Sequence, residues 1–197
     1  MRSAPSIGGI CLAGGLGRRI GGRFKAFLPL QEERIFDRLY RLLSSLFDEI
    51  VVVTDRSEAF APFEVKAVSD RLRGIGPLGG IDAGLRSLKS DKGFVVASDM
   101  PGLSADAIRW MMAQSGPEEV LAPVFQGRPQ PLHAIYAVGC APQIEPFAAR
   151  GGRALHRFLS EVRTTYLPPE AFPAEIDLSR AFFNVNTPED LEGWQRR

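Results

Sequence analysis

A cluster of glycines and basic residues near the amino terminus is the first place where this sequence could do chemistry. It follows an apolar run and consists of Gly14, Gly15, Gly17, Arg18, Arg19, Arg23 and Lys25. Glycine lets the backbone approach an anion closely, and successive N–H groups form an anion-binding nest. The cluster therefore favours a phosphate cradle, and the alternative is a glycine-rich turn with solvated arginines.

Polar residues at two later points could share this site. Asp99 comes directly after the apolar run 93–98, and Asp70 precedes a second glycine-rich segment at 74–80. Open α/β sheets bind ligands at the carboxyl ends of their parallel strands, which is where Asp99 would lie. For each aspartate the alternative is an ordinary turn residue, because aspartate is common in turns.

The surrounding pattern predicts elements that would position these residues. Apolar runs indicate strands at 7–13, 49–54, 65–68, 93–98, 119–124, 131–138 and 181–186. Helical spacing indicates helices at 34–47, after residue 80, after Ser104, at 141–149, at 153–159 and after Thr187. This alternation predicts a doubly wound α/β fold, with a mostly parallel sheet and an antiparallel excursion in its second half.

Length and composition restrict the class of protein. The 197 residues are expected to form a single domain, 1–197, with a loose end at 1–6. The formal net charge of +1 argues against nucleic acid or an anionic membrane as a partner. The two cysteines, Cys11 and Cys140, have no metal-ligand spacing, so we expect reduced thiols in a cytoplasmic protein.

The first glycine-rich stretch does not fit the two commonest phosphate-binding motifs. It lacks the Gly-Lys-Ser/Thr of a P-loop, and Gly15-Leu16-Gly17 is not followed by the third glycine of a dinucleotide fingerprint. It reads LAGG-x-G-x-R at 12–19, and Lys25 follows after five intervening residues. That pattern resembles the signature of nucleotidyltransferases, which join a nucleoside triphosphate to a phosphorylated acceptor and release pyrophosphate.

Three further segments narrow the resemblance. They are Asp70 with GPLGGI at 76–81, SDMP at 98–101 and FNVNTPEDL at 183–191. Together with the first stretch, and in this order, they resemble the molybdenum cofactor guanylyltransferases over 10–191. The resemblance implies a Rossmann-like nucleotidyltransferase domain.

The resemblance also implies roles for individual residues. The residues implied to bind the nucleotide are Leu12, Ala13, Gly14, Gly15, Lys25, Thr54, Asp70 and Asp99. The residues implied to act in catalysis are Arg19, Lys25 and Asp99. Arg19 and Lys25 would neutralise the charge of the triphosphate, and Asp99 would hold Mg²⁺. Carbonyls of the loop 76–79 are candidate acceptors for guanine. The family commonly has an acidic residue just before the lysine, where this chain has Phe24.

Several polar residues have weaker assignments. Asn184 and Asn186 alternate with apolar residues, so they would share one face of a strand end and suit acceptor binding or metal positioning. The alternative is that at least one of them only satisfies local backbone. Arg128 and Arg153 are candidates for the pterin phosphate, although lone arginines are usually solvated. The two histidines, His133 and His156, lack spaced metal partners and are expected to be structural.

The implied reaction transfers GMP from GTP to Mo-molybdopterin with Mg²⁺ as cofactor, and releases pyrophosphate. Proteins of molybdenum cofactor biosynthesis or of delivery to molybdoenzymes would be partners. Two alternatives stay open at this point. One is a sister enzyme that uses CTP or another small acceptor, and the other is a noncatalytic protein that binds and delivers the cofactor.

Overall fold

The fold is organised on one mixed β-sheet, seen in a computed structural model that describes residues 5–14, 24–30 and 32–196. The strands are β1 (Ile7–Leu12), β2 (Pro29–Leu30), β3 (Glu33–Arg34), β4 (Ile50–Val53), β5 (Lys66–Val68), β6 (Lys92–Ala97), β7 (Val120–Phe125), β8 (Arg128–Pro129), β9 (His133–Ala137) and β10 (Thr164–Leu167). The helices are α1 (Ile35–Ser44), α2 (Pro77–Ser87), α3 (Ala105–Gln114), α4 (Ala141–Ala149), α5 (Leu155–Glu161), α6 (Leu178–Ala181) and α7 (Pro188–Gln195).

The sheet has the order β10-β7-β9-β6-β1-β4-β5, with β8 paired to β7. The ladders β6–β1, β1–β4 and β4–β5 are parallel, and β10 is parallel to β7. Strand β9 runs antiparallel to both of its neighbours, β6 and β7. The sheet is therefore mostly parallel with an antiparallel excursion in its second half, which confirms the predicted fold class.

Two apolar layers cover the faces of the sheet. Neighbouring residues point to opposite faces, so Val51 packs into one layer and Val52 into the other. Helices α1 and α3 contribute to the layer that holds Val52, whereas α2, α4 and α5 contribute to the layer that holds Val51. Burial on both faces explains why the central strands are continuously apolar.

Helix starts follow the predicted capping residues. The Ser104 hydroxyl accepts a hydrogen bond from the Ala107 amide at 3.2 Å, which caps α3. Thr187 and Asp190 form a reciprocal capping box, and Pro188 occupies the first turn of α7. None of the helices in the described part of the chain is long and apolar enough to cross a membrane.

The carboxyl-terminal third differs from the prediction. The strand expected at 181–186 is wrong, because α6 occupies 178–181, capped by Asp177, and the following residues form a loop. Strand β10 was not predicted, since it is a short edge strand with exposed side chains and no apolar alternation. Within the stretch 1–6 that was expected to be loose, the Ser6 amide donates to Asp91 Oδ2 at 2.9 Å, and residues 1–4 lie outside the described part of the chain.

Candidate active site

A cavity of about 840 Å³ opens at the carboxyl edge of the parallel strands β1, β4, β5 and β6. The chain runs from β1 to β4 and β5 on one side, then crosses to β6 on the other side of β1. Such a reversal of strand order leaves a crevice beside the ends of the strands, and open α/β sheets bind ligands there. The predicted residues Leu12, Gly14, Lys25, Thr54, Asp70 and Asp99 line this cavity.

Lys25 and Asp99 meet at one end of the cavity. Lys25 Nζ lies 2.9 Å from Asp99 Oδ2, and the two side chains are 22% and 18% exposed. The same ammonium donates to Asn186 Oδ1, also at 2.9 Å. A cation, a carboxylate and an amide from three distant parts of the sequence therefore form one cluster, which we call the phosphate end.

Backbone hydrogen bonds attach this cluster to the sheet. The Ser98 amide donates to the Leu12 carbonyl at 3.0 Å, which extends the β1–β6 ladder up to Asp99. The Val185 amide donates to the Asp99 carbonyl at 2.8 Å, so the segment that carries Asn186 lies directly on the end of β6. The positions of Asp99 and Asn186 are thus coupled through the main chain.

The two predicted asparagines have different environments. Asn186 contacts Lys25, whereas Asn184 Nδ2 donates to the carbonyl of Phe182, two residues away, at 3.2 Å. The prediction that both amides share a strand face is wrong, because 184–186 is a loop. The alternative interpretation, in which one of them satisfies local backbone, fits Asn184.

Aromatic rings support the turn that carries Lys25. Lys25 begins a 3₁₀ turn, Lys25–Phe27. The centroid of the Phe24 ring lies 5.4 Å from that of Phe27 and 5.8 Å from that of Phe60. Phe24 also lines the cavity, and the Arg56 guanidinium lies 5.1 Å from its ring centroid. An apolar wall therefore stands where the family commonly has an acidic residue, and Lys25 is paired with Asp99 instead.

The opposite end of the cavity, which we call the base end, contains Thr54 and Asp70. The Thr54 amide donates to the Val68 carbonyl at 2.7 Å, and its buried hydroxyl accepts from the Arg56 amide at 3.1 Å. Burial raises the pKa of the Asp70 carboxyl above its usual value, the charges of Asp55 and Asp82 raise it further, and Arg73 opposes them. Asp70 thus lies in a partly desolvated, acidic environment.

Helix α2 begins beside Asp70 and explains the glycines of the second segment. A Cβ atom on Gly79 would lie 2.4 Å from the Leu72 carbonyl oxygen and 3.2 Å from Asp70 Oδ2, so a larger residue does not fit there. Gly76, with φ of 65°, caps the helix, and its carbonyl accepts from the Gly79 amide at 3.1 Å. The prediction that carbonyls of 76–79 face guanine is not supported, because helical carbonyls point away from the amino terminus.

Gly15, predicted to bind the nucleotide, and Arg19, predicted to act in catalysis, lie outside the described residues. Ala13 is buried beneath the cavity, and its amide donates to the Val53 carbonyl at 2.9 Å. Of the predicted pterin-phosphate candidates, Arg128 is an exposed residue of β8. Arg153 Nη1 donates to the Gly74 carbonyl at 2.9 Å, so it contacts the second glycine-rich segment.

Several residues that line the cavity were not predicted as site residues, among them Phe24, Asp55 and Leu132. Leu132 precedes β9, whose antiparallel direction brings its first residues to the edge where the parallel strands end. Only the direction of β9 reveals this position, and the apolar pattern does not encode direction. Asp55 follows Thr54 at the end of β4, and its position after a buried strand was the available signal.

The donor atoms at the phosphate end suit a metal that is held largely by its substrate. Within the described ranges, no group of three or more histidine, cysteine, aspartate or glutamate side chains is arranged to hold a metal ion. Asp99 offers one carboxylate, and Mg²⁺ typically takes one or two carboxylates together with phosphate oxygens and water. His133 is buried and His156 is exposed on α5, and neither histidine lines the cavity.

A second cavity, of about 510 Å³, lies beyond the turn that follows Asp99. Its lining mixes both signs of charge, with Arg38 and Arg180 among the basic residues and Asp106 and Asp177 among the acidic ones. It contains none of the predicted site residues. The chemistry therefore concentrates in the larger cavity.

The fold and the site together define a class, the α/β nucleotide-binding enzymes. The sheet is doubly wound, and one cavity has a cation–carboxylate cluster at one end and a helix amino terminus at the other. The MobA-like NTP transferase domain family matches residues 9–165. The chain belongs to this family. It is a nucleotidyltransferase, and enzymes of this class typically use a divalent metal.

Individual relatives agree with the family assignment. The chain is 34% identical over 190 residues to the molybdenum cofactor guanylyltransferase of Syntrophotalea carbinolica, covering 95% of this chain and 90% of the relative. It is 37% identical to a probable molybdenum cofactor guanylyltransferase of Pelotomaculum thermopropionicum, covering 93% and 89%. The crystal structure of molybdopterin-guanine dinucleotide biosynthesis protein A from Archaeoglobus fulgidus superposes with a TM-score of 0.82 at 27% identity, covering 95% and 96%. The resemblance predicted from the four motifs is confirmed.

Proposed function

We propose that this enzyme transfers GMP from GTP to the terminal phosphate of Mo-molybdopterin, forming the guanine dinucleotide cofactor and pyrophosphate. The observation that carries the proposal is the contact of Lys25 Nζ with both Asp99 and Asn186, each at 2.9 Å, inside the cavity. The names of the relatives supply the identity of the substrates. The two alternatives, a CTP-using enzyme and a delivery protein, are outcomes of the test below.

The reaction is an in-line displacement at the α-phosphorus of GTP. An oxygen of the acceptor phosphate forms the new bond to phosphorus, and the bond from phosphorus to the bridging oxygen of pyrophosphate breaks, with its electron pair leaving on that oxygen. Catalysis of such a step consists mostly of positioning and charge neutralisation. The Lys25 ammonium would neutralise the negative charge that develops on the leaving group. We assign the same role to Arg19.

We assign Asp99 as the carboxylate that would hold Mg²⁺. The ion would polarise the phosphate oxygens and neutralise part of their charge. The Asp99 carboxylate lies at the end of β6, and its backbone is fixed by the Val185 amide at 2.8 Å. The chain would therefore present one rigid ligand and leave the other coordination positions to the substrate and water.

We assign the base end to guanosine. Guanine has adjacent donors, N1–H and the 2-amino group, which require acceptors, and the Asp70 carboxylate is an acceptor in this part of the cavity. The start of α2 offers backbone amides and the positive end of a helix dipole, which suit the guanine carbonyl oxygen. Thr54 completes this wall of the cavity. Leu12, Ala13, Gly14 and Gly15 are assigned to the phosphates and ribose.

The acceptor would enter at the phosphate end, where Asn186 offers an amide beside Lys25. Asn184 is assigned a supporting role, because its amide already bonds the backbone of its own loop. We place the reaction in the cytoplasm, in agreement with two buried free cysteines. We also propose that residues 1–197 act as one domain, since both helical layers pack on one sheet.

The test is a nucleotide-selectivity assay with molybdate-loaded molybdopterin and Mg²⁺, in which pyrophosphate release and the dinucleotide product are measured with GTP, CTP and ATP. Wild-type protein is expected to release pyrophosphate with GTP. Asp99→Ala should abolish the release, and Asp48→Ala, which removes an exposed aspartate outside the cavity, should not change it.

Each other result identifies an alternative. Turnover with CTP and not with GTP would show that the protein is the CTP-using enzyme. Nucleotide or molybdopterin binding without pyrophosphate release would show a delivery protein. Undiminished release by Asp99→Ala would overturn the metal assignment, provided that circular dichroism shows the variant to be folded.

A further inference from the structure

A buried carboxylate behind the base end has no role in the proposed chemistry. Asp82 lies on α2 with its side chain fully buried. Its Oδ1 accepts from Arg86 Nε at 2.8 Å, and its Oδ2 accepts from Arg71 Nε at 3.2 Å. Burying a charge is costly, and ion pairs of this kind are weak evidence for stability alone.

The two arginines extend this contact to neighbouring elements. Arg71 Nη2 donates to Glu145 Oε2 on α4 at 2.8 Å, and Arg86 Nη2 donates to the Ala141 carbonyl at the start of α4 at 3.4 Å. Arg71 directly follows Asp70 in the chain. Asp82 therefore links the loop that carries Asp70 to the packed pair of helices α2 and α4.

The loop 70–76 has few other attachments. Ile75 is its one buried side chain, and Leu72 is half-buried. Gly74 and Gly76 adopt positive φ values of 78° and 65°. Besides the packing of Ile75 and Leu72, polar contacts from Arg71, and from Arg153 to the Gly74 carbonyl, fix how the loop lies against the cavity.

We propose that Asp82 is a positioning residue for nucleotide selection, which acts through Arg71 to orient Asp70 toward the base. The proposal rests on the assignment of the base end to guanosine. It predicts an effect on nucleotide affinity and preference, and little effect on the chemical step, because Lys25, Asp99 and Asn186 lie at the other end of the cavity.

The experiment compares Asp82→Asn with wild type by equilibrium binding of GTP and ATP to the full chain, and by steady-state kinetics. The Asn variant keeps the shape of the side chain and loses its charge. We expect the Kd and the KM for GTP to rise about tenfold, the range expected for loss of a charge-assisted contact, with kcat changing by less than about twofold. The preference for GTP over ATP should fall.

Arg71→Gln is the second variant, because Arg71 is 45% exposed and its removal does not disturb the core of α2. It should reproduce the effect of Asp82→Asn, and the double variant should lose little more than either single variant, since the two act as one unit. Glu161→Gln is the matched control. The Glu161 carboxylate lies 2.7 Å from Arg150 Nη2, and this ion pair does not contact the loop. Its removal should leave GTP affinity unchanged.

The outcomes separate this inference from the proposed function. If both variants lower the melting temperature but leave GTP affinity and preference within twofold of wild type, Asp82 is only structural and the inference is wrong. If wild type binds GTP without turnover, the proposed function fails, and weaker GTP binding by Asp82→Asn still supports the inference. If wild type does not bind GTP, both are overturned.

Discussion

His133 provides a quantitative test of the packing on one face of the sheet. Its side chain is fully buried, and within the described residues neither ring nitrogen has a hydrogen-bond partner. The ring packs edge-on against Phe94 and Phe182, at centroid distances of 5.1 Å and 4.8 Å. Burial lowers the pKa of His133 from 6.5 to about 3.

The sign of the pH effect follows from this shift. Between pH 3 and pH 6.5 the unfolded chain binds a proton at residue 133 and the folded chain does not, so the free energy of unfolding decreases as the pH falls below 6.5. One pKa unit corresponds to about 1.4 kcal/mol, so this residue alone removes about 2 kcal/mol between pH 6.5 and pH 5.0. Above pH 6.5 its contribution is fully present.

The perturbation is His133→Met, which fills the site with a flexible apolar side chain beside two aromatic rings. At pH 7.5 the variant should be more stable by about 1–3 kcal/mol, because an unpartnered polar group has been removed from the core. The assay is urea unfolding at several pH values between 7.5 and 5.0. The stability difference between variant and wild type should grow by about 2 kcal/mol across the acidic part of this range.

The chain contains one other histidine, which serves as the control. His156 is exposed, so His156→Gln should keep the wild-type pH dependence. The carboxylates are the same in all three proteins, so their contributions to the pH dependence of stability cancel in the comparison. An identical pH slope in His133→Met and wild type, or an NMR titration of the His133 ring near pH 6, would refute the reasoning.

Three further perturbations test separate parts of the molecule. Lys25→Gln should lower kcat about 100-fold in the pyrophosphate assay, because an amide cannot neutralise the leaving group, and a wild-type rate would contradict this. Gly79→Ala should weaken GTP binding in a direct binding assay, since the new Cβ would lie 2.4 Å from a backbone carbonyl oxygen, whereas Gly139→Ala, with open space around it, should bind normally. Lys92→Met should lower the free energy of urea unfolding by about 3 kcal/mol by leaving Glu118 buried without its partner, and replacing both residues by apolar ones should restore much of the loss.

The sequence predicted the central strands well because burial on both faces leaves a strong local signal. Strands β1, β4 and β6 lie within one or two residues of their predicted bounds. Capping residues such as Ser104 and Thr187 were equally readable, since their side chains bond amides only three residues away. These features depend on neighbours in the sequence.

The parts that were not predicted depend on contacts between distant residues. The segment 181–186 is apolar enough to suggest a strand, but its Phe182 ring packs on His133 and its Val185 amide bonds the end of β6. Asp82 stands at a helical position next to apolar residues, and although Arg86 is its i,i+4 neighbour on α2, only the fold brings Arg71 to it. A single sequence contains no local signal for either arrangement.

The two ends of the cavity differ in how the chain builds them. The phosphate end joins Lys25 to Asp99 and Asn186 across 74 and 161 residues of sequence, so its geometry depends on the packing of the whole sheet. The base end comes mostly from the continuous stretch 54–82, in which Asp70, its neighbouring arginine and Asp82 are local. Under the proposed assignment, a substitution within that stretch would change which base is bound without moving Lys25, Asp99 or Asn186. On the same assignment the two glycine-rich segments serve different ends of the cavity: the first is assigned to phosphate, and the second allows α2 to start against the Asp70 carboxylate.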